Sequence, residues 1–127
     1  MTNSMKVVYV SGPFRASNAW ETWQHVNRAA VMALEVWRAG AACVCPHLNT
    51  FCFQGAADDD VWLQGDLEML RRCDAVLMID GWEWSVGARH ERTFAIGLKL
   101  PVFYSLDRKS TRLNSSHIQK SRMPSSA

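Results

Sequence analysis

Residues 85–91 (SVGARHE) begin with a serine and a glycine and end on a carboxylate. If a helix opens at residue 86, backbone N–H groups near Ser85 and Gly87 have no intrahelical partner, and the positive end of the helix dipole welcomes an anion. Glu91 then lies six residues on, roughly 9 Å along the axis, within reach of a sugar whose phosphate rests on the helix start. On the heptapeptide alone, an ordinary surface glutamate is the simpler reading. A second carboxylate, Asp66, sits beside Gly65 inside a helical stretch. Two poor helix formers side by side call for a reason, although a plain surface position would serve. Asp74 reads as a turn residue that starts a strand.

Other candidates carry less. Cys43, Cys45, His47 and Cys52 suggest zinc, but Cys43 and Cys45 alternate within a strand and lack the spacing of a zinc knuckle. A buried cysteine is commonly a small hydrophobe, so no metal site is assigned. His47 follows Pro46 at a strand's carboxyl end, where it reads as either a substrate contact or a loop histidine. Asp58, Asp59 and Asp60 suit the N-terminus of a helix better than a magnesium site. His90 is expected to face solvent or to pack locally. Most of the tryptophans are expected in the core, with Trp82 and Trp84 placed where they can stack on a base.

These residues need elements to position them. Residues 6–11 (KVVYVS) form a β-branched and aromatic run closed by Gly12-Pro13, the signature of a buried strand and a turn. Over 18–38, Trp23, Val26, Ala30, Ala33, Leu34 and Trp37 recur at helical spacing, with Asn18 and Glu21 as an N-cap pair and Gly40 past the end. Residues 41–46 predict a second strand, 49–57 a loop, 58–72 a helix, and 75–79 (AVLMI) a strand covered on both faces. A turn at 80–84, a helix over 86–98 and a strand over 101–104 complete the pattern. Strands alternating with helices imply an α/β fold, Rossmann-like or flavodoxin-like, with a parallel sheet of four to five strands flanked by helices. Ligands of such sheets bind beyond the strands' carboxyl ends, which here means residues 9–15, 46–49 and 80–91.

The chain has 127 residues, 48% of them hydrophobic, as expected of a single compact domain that needs no disulfide or structural metal. Its net charge of +2 is unevenly spread. Residues 1–107 hold nine Lys and Arg against twelve Asp and Glu, a balance of −3, while 108–127 hold five basic residues and no acid. The domain is accordingly placed at 1–107. The Ser-rich segment 108–127 is expected to be disordered, and it resembles translated adapter sequence, so it is read as non-native. Without it the domain has no basic stripe with interleaved aromatics, so no nucleic-acid polymer is expected as partner. No apolar run approaches a membrane span and the N-terminus lacks a signal-peptide pattern, which predicts a cytoplasmic protein with no membrane partner.

Three patterns carry a family resemblance. They are Tyr9-Val-Ser-Gly-Pro-Phe-Arg15; Gly65-Asp66-Leu67 with Asp74-Ala-Val eight residues after Asp66; and Ser85-Val-Gly-x-x-x-Glu91 followed by Ala95, Gly97 and Pro101-Val102. In order and spacing, over residues 5–104, the chain resembles the nucleoside 2-deoxyribosyltransferase superfamily, which includes the 2′-deoxynucleoside 5′-monophosphate N-glycosidases. The resemblance implies Glu91 as nucleophile, Asp66 as second catalytic carboxylate and Tyr9 as the residue that orients the nucleophile. Where the nucleoside transferases carry an aspartate this chain has Ser85, as the monophosphate N-glycosidases do, and Arg15 falls on their phosphate-binding arginine. A carboxylate there would repel a phosphate; a serine, free N–H groups and an arginine would bind one. Ser85, Gly87, Arg15, Gly12 and His47 are therefore the expected substrate- and phosphate-binding residues. Pro13 stands where those glycosidases use a serine.

The resemblance thus implies an enzyme without a cofactor that cleaves or transfers at the N-glycosidic bond of a (deoxy)nucleoside or, preferred, its 5′-monophosphate. The intermediate would be a covalent glycosyl-glutamate, resolved by water or by a second base. The alternative is a non-catalytic nucleotide-binding or sensing domain of the same fold. The related phosphoribohydrolases are disfavoured because their Gly-Gly-x-Gly-Thr loop is absent. A homodimer or higher homo-oligomer is expected, because the family shares sites between subunits and Phe51-Cys52-Phe53 has no obvious intrachain cover.

Overall fold

The computed structural model describes residues 4–104; the expectations for 108–127 lie outside them. Strands β1 (Val7–Ser11), β2 (Ala42–Val44), β3 (Ala75–Met78) and β4 (Val102–Phe103) form one sheet in the order β2-β1-β3-β4, every pair parallel. Helix α1 (Ala19–Arg38) links β1 to β2. The short α2 (Pro46–Asn49) and α3 (Asp59–Arg71) carry the chain back past β1 to β3, and α4 (Val86–Gly97) links β3 to β4. This is the α/β architecture expected, with four strands among the described residues. The direction of winding reverses between β1 and β3, so the ligand crevice opens at the carboxyl ends of those two strands.

The pleat of β1 divides the core. Val8 and Val10 point into the layer under α1, with Ala29, Ala33, Val36, Ala75, Leu77 and Phe103. Tyr9 points the other way, into the layer with Leu70, Val76, Met78, Ala88 and Ala95 beneath α3 and α4. Because side chains alternate along a strand, Ser11 shares the face of Tyr9.

Local chemistry sets the element ends. The Asn18 side chain accepts the Glu21 N–H at 2.8 Å, the expected start of α1. Gly40, at φ 97°, turns the chain just beyond its end. Strand β2 stops at Val44, short of the expected residue 46, because Pro46 opens α2 instead of extending the ladder. The helical face also departs from expectation. The residues of α1 buried against the sheet are Val26, Ala29, Ala33 and Val36, while Trp23, Leu34 and Trp37 stay about half exposed. Small side chains let the helix lie close on the strands, and the bulky ones widen the apolar stripe beyond what the sheet covers. Gly12 has a packing reason: a Cβ there would stand 2.8 Å from the Ile79 Cβ, so β1 leaves the sheet past the end of β3 only with glycine at this point. No helix among the described residues is long and apolar enough to cross a membrane.

Candidate active site

Glu91 projects from the second turn of α4 toward the face of β1 that carries Tyr9 and Ser11. The Tyr9 hydroxyl donates to Glu91 Oε2 at 2.6 Å and the Ser11 hydroxyl donates to Glu91 Oε1 at 2.6 Å. Tyr9 and Ser11 are themselves almost wholly buried. Each oxygen of the carboxylate is thus held by one short, charge-assisted hydrogen bond, which fixes its plane. Burial pushes the Glu91 carboxyl above its usual range, and the two hydroxyl donors pull it back toward the ionised form. The Tyr9 phenol is driven far above its ordinary value by burial and then by the Glu91 charge, so it stays a donor at any physiological pH.

Asp66 comes from the middle of α3, whose last turn anchors through the buried Leu70. Half-buried and close enough to Glu91 for their charges to interact, its carboxyl is pushed from 3.8 up to about 7, by burial first and by Glu91 second. The pair has the division of labour that acid and nucleophile require: one carboxylate fixed by donors, the other holding a proton near neutrality.

Ser11 is the residue that sequence reading missed. The signal was present, since a serine two positions after Tyr9 on a buried strand must share its face.

The expected phosphate-binding residues divide. Ser85 is the N-cap of α4, its hydroxyl accepting the Ala88 N–H at 3.1 Å, and no protein acceptor among the described residues takes the N–H of Val86 or Gly87. A Cβ at Gly87 would meet nothing within 4 Å, so this glycine answers no packing demand and leaves the helix start open. Arg15 is turned to α3, where it pairs with Asp59 at the surface. His47 is 7% exposed and committed to the backbone, its Nε2 lying 2.9 Å from the Pro13 carbonyl oxygen. Burial holds its imidazole below the ordinary value. Asp58 to Asp60 serve the start of α3, as N-cap and first-turn acids.

Trp82 and Trp84 part company. Trp82 packs under the Arg92 guanidinium, 4.9 Å from its ring centre, and against Tyr104, whereas Trp84 stands 87% exposed. Cys43, Cys45, Cys52 and Cys73 are free thiols. Burial pushes Cys43 up to about 12 and Cys73 up to about 11, which favours the thiol over the thiolate at neutral pH. No group of three or more His, Cys, Asp or Glu among the described residues is placed to hold a metal ion.

A parallel sheet that brings a gripped, part-buried glutamate beside a second carboxylate, at the reversal of strand order, puts two carboxyl groups where sheets of this kind bind ligands. The chain belongs to the family described as Domain of unknown function (DUF4406), whose model matches residues 6–104. Among solved structures it is similar to a 2-deoxyribosyltransferase from the psychrotolerant bacterium Bacillus psychrosaccharolyticus. The TM-score is 0.56 at 19% identity, over 91% of this chain and 82% of the other. The fold implied by the sequence resemblance is therefore the fold observed. No curated protein matches the sequence.

Proposed function

We propose that the protein cleaves or transfers at the N-glycosidic bond of a (deoxy)nucleoside, with the 5′-monophosphate preferred, through a glycosyl-Glu91 intermediate. The observation that carries this reading is the part-buried Glu91 carboxylate held at both oxygens, with Asp66 beside it. Breaking an N-glycosidic bond builds positive charge on the sugar, and a carboxylate below the anomeric carbon stabilises that charge and then bonds to it. A Glu91 oxygen attacks the anomeric carbon as the carbon–nitrogen bond breaks, and Asp66 gives its proton to the departing base. In the second half, water or another base attacks the same carbon. Asp66 takes the incoming proton, and the Glu91 carboxylate leaves, stabilised again by Tyr9 and Ser11.

The open start of α4 at Ser85 and Gly87 supports a phosphate on the substrate, toward which Arg15 would have to leave Asp59. The exposed apolar residues of α1 and of the 51–53 loop support a homo-oligomer. The test of function is a panel of nucleosides and 5′-monophosphates incubated with the protein and assayed for free base by chromatography. Base release from the monophosphates ahead of the nucleosides is expected; release from neither would refute the reading.

A further inference from the structure

The turn after β1 is gripped by two imidazoles from different elements. His47, in α2, lies with Nε2 2.9 Å from the Pro13 carbonyl oxygen, and His25, in α1, with Nδ1 3.1 Å from the Phe14 carbonyl oxygen. A carbonyl only accepts, so each of these nitrogens carries the proton. In a trans peptide the C=O and N–H point in opposite directions, and among the described residues no peptide is cis. Pinning the Pro13 oxygen therefore directs the Phe14 N–H away from His47, and pinning the Phe14 oxygen directs the Arg15 N–H away from His25. Neither N–H has a protein acceptor among the described residues. The turn is seated further by Gly12 against Ile79 and by the edge of the Phe14 ring on His47, 5.8 Å between centres.

We infer that His25 and His47 are positioning residues that hold the 13–15 turn with two successive N–H groups presented to an oxyanion of the phosphate monoester class. Amides left without a protein acceptor are free to donate to an anion, and Arg15, whose side chain pairs with Asp59 at the surface, belongs to the same segment. The inference deepens the proposed monophosphate preference and rests on it for the identity of the ligand. It also changes the part expected of His47. Its Nε2–H is spent on the turn and its Nδ1 is buried without a partner, so the ring acts through the backbone and not on the substrate. Burial favours the neutral ring, and the Pro13 carbonyl then selects the tautomer with its proton on Nε2.

The test is a titration of the protein with inorganic phosphate, read at the Phe14 and Arg15 amides by heteronuclear NMR, alongside the monophosphate-over-nucleoside ratio of kcat/KM. Phosphate is expected to shift both amides. His25→Ala and His47→Phe should each weaken phosphate binding and lower the ratio by about tenfold, the worth of one buried hydrogen bond, and His47→Gln, which keeps an N–H donor, should restore most of it. If His47→Phe does not fold, His25→Ala decides alone. Amides unmoved by phosphate, or variants that lose nucleoside and monophosphate turnover equally, would overturn the inference. Because the titration needs no turnover, a protein whose Phe14 and Arg15 amides bind phosphate but which releases no base would refute the catalytic proposal while upholding this one.

Discussion

Ser11 donates a 2.6 Å hydrogen bond to Glu91 from the strand face that also presents Tyr9, whose hydroxyl takes the other carboxylate oxygen. Two residues of one strand therefore hold one carboxylate in a single orientation, through rotamers locked by the core. Such a grip favours the ionised form and, in the proposed reaction, would stabilise it again as a leaving group. Removing either hydroxyl, in Tyr9→Phe or Ser11→Ala, should lower kcat by roughly ten- to hundredfold, the equivalent of about 1.5–3 kcal/mol for a hydrogen bond to a charged group. Steady-state base release measures it. A variant at full rate would remove that residue from the site.

The proton on Asp66 sets an upper limit in pH. Its carboxyl titrates at about 7, so the fraction able to protonate a leaving base falls as pH rises through that value. Base release is expected to decline above about pH 7 and, on the acid side, to fall as Glu91 takes up a proton; the two limbs belong to the coupled pair. Asp66→Asn should flatten the alkaline limb at a much reduced rate. A pH–rate profile checks both.

The same carboxyl links stability to pH. Between about 3.8 and about 7 the folded state holds the Asp66 proton and the unfolded chain has released it, so stability is greatest below this window and is lost as pH rises through it. Glu91, also raised, acts in the same direction. Asp66→Asn is expected to melt above the wild type at pH 8 and level with it at pH 4, in thermal denaturation across that range.

Gly12 offers a test of packing apart from chemistry. An alanine Cβ would meet Ile79 at 2.8 Å, and overpacking of this kind costs about 1–3 kcal/mol. Gly12→Ala should melt lower than wild type, and the double variant with Ile79→Ala should recover part of the loss. Additive losses in the double variant would contradict the account of this contact.

Much of the fold could be read from residue pattern. AVLMI at 75–79 is apolar at every position because helices cover both faces of β3, and the Asn18–Glu21 pair marked the start of α1 where the cap lies. The family resemblance singled out Glu91, Asp66 and Tyr9, which the fold brings together, yet it carried no information on what holds the carboxylate; that depends on the pleat of β1, which also selects Ser11. His47 was expected directly after a strand but lies within α2, and its commitment to the Pro13 carbonyl depends on a contact across 34 residues of chain. The partners of Arg15 and Trp82 are likewise tertiary: Asp59 for the first, Arg92 and Tyr104 for the second. The exposed stripe of α1 shows the limit of periodicity, which marks apolar residues without saying which of them the sheet has room to cover.

The proposed reaction turns on a covalent bond between Glu91 and the sugar. Intact-protein and peptide mass spectrometry after rapid quenching, with a 2′-deoxynucleoside 5′-monophosphate as substrate, tests it most directly. An added deoxyribosyl phosphate is expected on the peptide containing Glu91, absent from Glu91→Gln, which should also release no base. Base release at the wild-type rate by Glu91→Gln, or an adduct on a different residue, would contradict it.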